Sequence, residues 1–169
     1  NRKSPVLNYY ADFTNWLPIM KAYENRQASY FATPPVNLIT ALEVSLQQIT
    51  LEGIENRFKR HQKLATAFRE AMLVLGLEIL PQTKDLAAHS LTAVYYPKNV
   101  NAGDFLAHIG KNNIILAGGL LPSQKTLYFR VGHMGSVNKN DIISTISAIE
   151  SSLFANGYKF ENSIGITTA

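Results

Sequence analysis

Residues 126–135 read TLYFRVGHMG. Leu127, Phe129 and Val131 alternate with Thr126, Tyr128 and Arg130, and Gly132 and Gly135 follow in the turn. Period-two alternation predicts a strand with the apolar trio on one face and Thr126, Tyr128 and Arg130 on the other. Arg130 therefore stands near the end of an apolar strand. A guanidinium keeps its proton, so where it leaves water it needs an anion. Its planar fork is suited to gripping a carboxylate with two parallel hydrogen bonds. A structural Asp or Glu, or solvent, would serve equally from chemistry alone.

Working outward from this strand, LEIL (77–80), LTAVYY (91–96) and IILA (114–117) also read as strands. NAGDFLAHIGKN (101–112) reads as a short helix, and AGGLLPSQ (117–124) as a loop punctuated by glycine and proline. The glycine pair Gly118–Gly119 reads as a backbone requirement, since no GxxxxGK or GxGxxG is present. Asn138 is the predicted N-cap of a final helix, with Asp141 in the capping-box position. Ile142, Ile143, Ile146, Ile149 and Leu153 form its predicted buried stripe. The order is β-β-α-β-β-α: an α/β (α+β) small domain with helices packed on one face of a small sheet.

Upstream lies a helix pair. Leu38, Leu42, Leu46 and Ile49 recur at helical spacing after the Pro34–Pro35 pair, with Asn37 as the predicted N-cap. Beyond Gly53 the stripe Ile54, Phe58, His61, Ala65, Phe68, Met72 and Leu75 runs to Gly76. His61 reads as a packing histidine. Residues 1–37 carry Tyr9, Tyr10, Phe13, Trp16, Tyr23 and Tyr30, interrupted by Pro5 and Pro18. Pro18 is expected near a helix start or at a break. So much aromatic surface suggests a segment that lies against something else. Residues 38–156 then form the helix pair and small domain, and 157–169 a polar, frayed tail.

The totals narrow the chemistry. The 169 residues contain no cysteine, which excludes a disulfide scaffold, a thiolate metal site and a cysteine nucleophile within this sequence. The four histidines show no HxH, HxxH or HExxH spacing, so no metal site is expected. Net charge is +4, and the basic run Arg57, Lys59, Arg60, Lys63, Arg69 is interleaved with Glu52, Glu55 and Glu70. That pattern reads as a solvated helix face, not a nucleic-acid patch. No apolar run is long enough for a membrane span, and no membrane or nucleic-acid partner is expected. Tyr30 and Thr33 are two hydroxyls just ahead of a rigid Pro-Pro, able to donate to phosphate oxygens or to stabilise a turn.

The order YFATPP, a helix pair ending in VLGLEIL, then IILAGGL-x(8)-FRVGHMG resembles the alanine–glyoxylate and serine–pyruvate aminotransferases. These are class V members of the fold-type I pyridoxal-phosphate enzymes. The likeness runs from about Arg2 to about Phe154 and includes NYYADFTNW and EGIENRFKRHQKLA. It implies a pyridoxal 5'-phosphate cofactor and ping-pong transfer of an amino group from alanine or serine to glyoxylate. Arg130, in the R-[IV]-G-x-[ML]-G motif, would bind the substrate α-carboxylate. Tyr30 and Thr33, in the Y-x-x-T-x-P motif, would hydrogen-bond the cofactor phosphate of a neighbouring subunit, in a homodimer with shared active sites.

One departure limits the inference. The family's Schiff-base lysine and the aspartate of the pyridine nitrogen have no match, and Lys3 in NRKSP is not that lysine. The resemblance is thus to the C-terminal part of the enzyme, with residues 1–37 as a strip of the large domain and dimer interface. No catalytic residue is expected in this segment, and it should not transaminate alone. His133 is a second departure, a polar residue in a turn that is often apolar, and a candidate for touching substrate. A non-catalytic amino-acid-binding regulatory domain and a phosphoserine aminotransferase remain as alternatives. The compartment stays open between cytoplasm, peroxisome and mitochondrion, since the terminal ITTA is not an SKL-type signal.

Overall fold

The computed structural model describes residue 4 and residues 6–169. Lys3 and Pro5 lie outside the described residues. The chain divides into two compact units, Asn1–Gln48 and Ile49–Ala169.

In the first unit, α1 (Phe13–Glu24) starts at Asp12, whose carboxylate accepts from the Thr14 amide at 3.0 Å. Pro18 lies inside α1, neither at its start nor at a break, contrary to the sequence expectation. The helix survives the lost hydrogen bond because Trp16 anchors it. The indole packs 4.5 Å from the Phe31 ring and 5.1 Å from Tyr10, and its N–H donates to the Tyr10 carbonyl at 2.7 Å. After the two prolines, α2 (Val36–Glu52) begins one residue before Asn37, with the Pro35 carbonyl accepting from the Ile39 amide. Asn37 is therefore in the first turn and not the cap. Leu38, Leu42 and Leu46 are more than half exposed.

The second unit is a three-stranded antiparallel sheet with helices on one face. α3 (Ile54–Val74) ends in a Schellman turn at Gly76, whose φ of 76° suits a residue without Cβ. The Leu77 amide bonds the Met72 carbonyl and the Gly76 amide that of Leu73. A 3-10 turn (Lys84–Leu86) leads to β1 (Leu91–Tyr95), and α4 (Ala102–Lys111) follows, capped by Asn101. The short β2 (Ala117–Gly118) precedes β3 (Tyr128–Gly132), and α5 (Lys139–Ala155) opens with the expected Asn138–Asp141 capping box. The sheet order is β1-β3-β2, with β3 central. LEIL makes no strand of its own, only the single bridge Ile79–Val94, with the Leu80 amide on the Ala93 carbonyl and the Tyr95 amide on that of Glu78.

Val94, Phe129 and Val131 project from the sheet into a core with Phe68, Met72, Phe105, Ile109, Ile146 and Ile149. Only the C-terminal half of the predicted α3 stripe is buried, since Ile54 and Phe58 stay half exposed. In α5, Ile143 is more exposed than the other four stripe residues. Thr126 and Leu127 fall before the strand, so Leu127 is 51% exposed while Tyr128 is buried. That corrects the expected facing of the apolar trio.

The tail is not frayed. Residues 164–168 form α6 (Ile164–Thr168), which packs on α3 and α5. The buried Glu150 carboxylate accepts from the Gly165 amide at 2.8 Å, and Tyr158 donates its hydroxyl to the Leu75 carbonyl at 3.0 Å. Composition suggested a solvated end, but Tyr158, Phe160, Ile164 and Ile166 supply enough apolar contact to dock it.

Candidate active site

Arg130 sits in the middle of the central strand, opposite Ala93 on β1 and Ala117 on β2. Directly opposed residues share a face, so two methyl groups flank the guanidinium and leave it room. Its Nε donates to the Gly118 carbonyl at 2.7 Å. Among the described residues, the ion pairs join Glu52 to Arg57 and Arg60, and Glu70 to Lys84. None engages Arg130, whose side chain is only partly exposed. Of the partners the sequence left open, the structural carboxylate is absent among the described residues.

The loop before β3 supports this arrangement. Tyr128, buried on the face of the sheet that bears Arg130, accepts from the Leu120 and Leu121 amides at 2.8 and 3.1 Å. Those two amides, Leu121 first, and the nearby Arg130 charge hold the phenol below its usual pKa. At Gly119 a Cβ would stand 2.8 Å from the Lys125 carbonyl and from the Tyr128 ring. Gly119 thus meets the backbone requirement read from the sequence, while at Gly118 a Cβ would come no closer than 4.0 Å to Leu106, and that residue gives its carbonyl to Arg130.

In the first unit, the hydroxyls of Tyr30 and Thr33 are hydrogen-bonded to each other and exposed. Between them Phe31, half-buried, packs against Tyr9, Tyr10 and Trp16, and just ahead the Ser29 carbonyl accepts from Tyr23 at 2.7 Å. The loop is pinned on its inner side and offers both hydroxyls outward. A phosphate oxygen needs such donors, and the pair fits part of that requirement. The cation that would complete a phosphate site is not in this loop.

His133 is fully buried. Its Nδ1 donates to the His89 carbonyl at 3.0 Å, which leaves Nε2 to accept from the Thr92 hydroxyl at 2.8 Å. The ring is a neutral core group and does not reach a substrate surface, so the expectation that it might touch substrate is not met. Burial, aided by the Arg69 and His61 charges and opposed by the His89 carbonyl, pushes its pKa below the ordinary 6.5. The unfolded chain takes up a proton near pH 6.5 and the folded chain only lower. Stability contributed by the neutral ring is therefore complete above about 6.5 and lost as the pH falls towards the folded value. Urea unfolding from about pH 7.5 to about pH 5.5 should show a loss of at most about 1.4 kcal/mol per pH unit from this group, and the His133 ring NMR signals should not titrate at the ordinary midpoint.

The basic face of α3 is not simply solvated. Arg60 bonds Glu52 through Nε and Nη2 and the carbonyls of Val137 and Gly135 through Nη1 and Nη2. Arg60's hydrogen bonds hold the Glu52 carboxyl below its usual pKa. Arg69 donates to the Ala88 carbonyl at 3.0 Å, and His61 meets the Gly135 carbonyl at 3.2 Å. The Glu52–Arg60 pair spans the Gly53 joint, a sequence separation no helical pattern would have flagged. Among the described residues no cluster of His, Asp or Glu is arranged to hold a metal ion, and no helix is long and apolar enough to cross a membrane.

Comparison with known proteins finds aminotransferase relatives. The chain is 35% identical over 145 residues to alanine–glyoxylate aminotransferase 1 of Saccharomyces cerevisiae, matching 83% of this chain and 37% of that protein. Over this portion the chain resembles the glyoxylate aminotransferases. To the serine–glyoxylate aminotransferase of Methylorubrum extorquens it is 30% identical, over 81% of its own length and 34% of the relative's. A crystal structure of alanine–glyoxylate aminotransferase from Nostoc sp. superposes with a TM-score of 0.78 at 31% identity, covering 90% of this chain and 40% of that one. The chain thus spans between a third and two fifths of the length of these aminotransferases. No protein-family model matches it.

Proposed function

We propose that this chain is the small-domain portion of a pyridoxal-phosphate-dependent transaminase that moves an amino group from alanine or serine to glyoxylate. The observation that carries the reading is Arg130, a partly buried guanidinium with room around it and no carboxylate partner among the described residues. Because Nε is committed to the Gly118 carbonyl, a substrate α-carboxylate meets the fork end-on, with Nη1 and Nη2 donating in parallel. That contact fixes the orientation of the α-carbon, and it serves the amino acid and the 2-oxo acid alike. The same site can then take both substrates of a ping-pong exchange.

Tyr30 and Thr33 would hold the cofactor's phosphate by breaking their mutual hydrogen bond and donating to its oxygens. In this reading they do so for the neighbouring subunit of a homodimer. Bound pyridoxal phosphate supplies the electron sink for the transfer. The lysine that carries it stands upstream of the residues given, so this segment alone should be inactive. The visible absorbance of the complete cofactor-loaded enzyme tests the reading. L-alanine should bleach the bound-cofactor band and glyoxylate should restore it; a band indifferent to both would sink the proposal.

A further inference from the structure

Arg60 is bonded to more segments than any other cation among the described residues. Its Nε meets Glu52 Oε1 at 2.6 Å and its Nη2 meets Oε2 at 2.9 Å, while Arg57 Nη1 braces the same Oε2 at 3.0 Å. The fork then crosses to the turn after β3, with Nη1 on the Val137 carbonyl at 2.7 Å and Nη2 on the Gly135 carbonyl at 3.0 Å. Both partners are only about a quarter exposed at the side chain, 27% for Arg60 and 24% for Glu52. A lysine could not span a carboxylate and two carbonyls from one plane.

The turn held this way is the GHMG run that follows Arg130. Gly132 lies two residues beyond Arg130 and so on the same face of β3. The Met134 methyl stands 4.0 Å from where a Gly132 Cβ would be. Met134 therefore overlies the Arg130 face, next along the strand, with its side chain half exposed. The carbonyl immediately after Met134 in the chain is the Gly135 carbonyl that Arg60 and His61 hold.

We propose that the Glu52–Arg60 pair is a positioning device for the Arg130 anion site, fixing residues 135–137 and with them Met134 as a wall of the face that receives a carboxylate. The inference rests on the reading of Arg130 as the carboxylate-binding group. Arg60 acts through the turn and touches no substrate.

The test uses the complete cofactor-loaded enzyme and the variants Arg60→Ala, Arg60→Lys, Met134→Ala and Arg130→Ala. KM and kcat for L-alanine and glyoxylate, the inhibition constant of acetate as a bare carboxylate, and the melting temperature are measured on each. Arg60→Ala should raise KM and the acetate constant about tenfold while kcat stays within about twofold, and it should add nothing in the Arg130→Ala background. Arg60→Lys should not restore the site. Met134→Ala should raise the same constants without lowering the melting temperature as far, so the idea stays testable if Arg60→Ala folds poorly. If Arg130→Ala raises KM but Arg60→Ala and Met134→Ala leave KM and the acetate constant unchanged, the positioning role is overturned. If Arg130→Ala itself leaves them unchanged, the reading of Arg130 falls, and this inference with it.

Discussion

Arg130→Ala in the complete enzyme should weaken binding of both the amino acid and glyoxylate by on the order of 2–5 kcal/mol, a rise in KM from tens to thousands of fold. The magnitude follows from removing one member of a charge pair in a site sheltered by the sheet and the 117–124 loop. Arg130→Lys should recover only part of it, because an ammonium cannot make two parallel bonds to a carboxylate. The fold should tolerate the change, since the guanidinium makes a single hydrogen bond among the described residues, to the Gly118 carbonyl, and no ion pair. Steady-state kinetics with the cofactor content checked by absorbance decides the matter. Unchanged Michaelis constants for both substrates would mean that the anion is something other than their carboxylate.

Phe129→Ala should cost about 3–5 kcal/mol of folding stability. The ring is fully buried, packed 5.0 Å from Phe105 and 5.3 Å from Tyr96, on the face of β3 that meets the helices. Removing it leaves a cavity that three elements would have to close, and the Tyr96 hydroxyl already sits there buried without a partner. Leu127→Ala, two positions earlier on what strict alternation makes the same face, should change stability by less than about 0.5 kcal/mol. Urea denaturation midpoints of the two variants test the register directly. Equal losses would contradict the placement of Leu127 outside the strand.

That pair shows where local pattern is and is not informative. Alternation located β3 and gave Phe129 and Val131 their side, because each contacts the sheet's own helices. It could not reveal that the loop ahead of the strand folds back and buries Tyr128 through two amides, a contact made seven and eight residues away. The helix pair was legible from spacing and from Gly53 and Gly76. Pro18 misled because the aromatic packing of Trp16 on Phe31 outweighs one missing hydrogen bond.

At the candidate site, Arg130, Tyr30 and Thr33 stood out by residue type and by family motif. His133 stood out too, but its partners Thr92 and His89 lie more than forty residues away, and only those contacts reveal a satisfied core group. Arg60 was hidden in a run of like residues. Nothing in that run distinguishes the guanidinium that crosses to Val137 from those that face water.

The docking of α6 has a consequence for synthesis. Leu75 and Ile146 would touch any Cβ placed at Gly165, so the segment that closes over the end of α3 emerges from the ribosome long after α3 itself. Ile164 follows Val74 by ninety positions, which take roughly 5–20 s to translate at ordinary rates. For that interval the apolar end of α3 waits uncovered, and Glu150 has no Gly165 amide to receive. Folding of this unit therefore waits for α6, and a nascent chain stalled before Ser163 should be a substrate for chaperones.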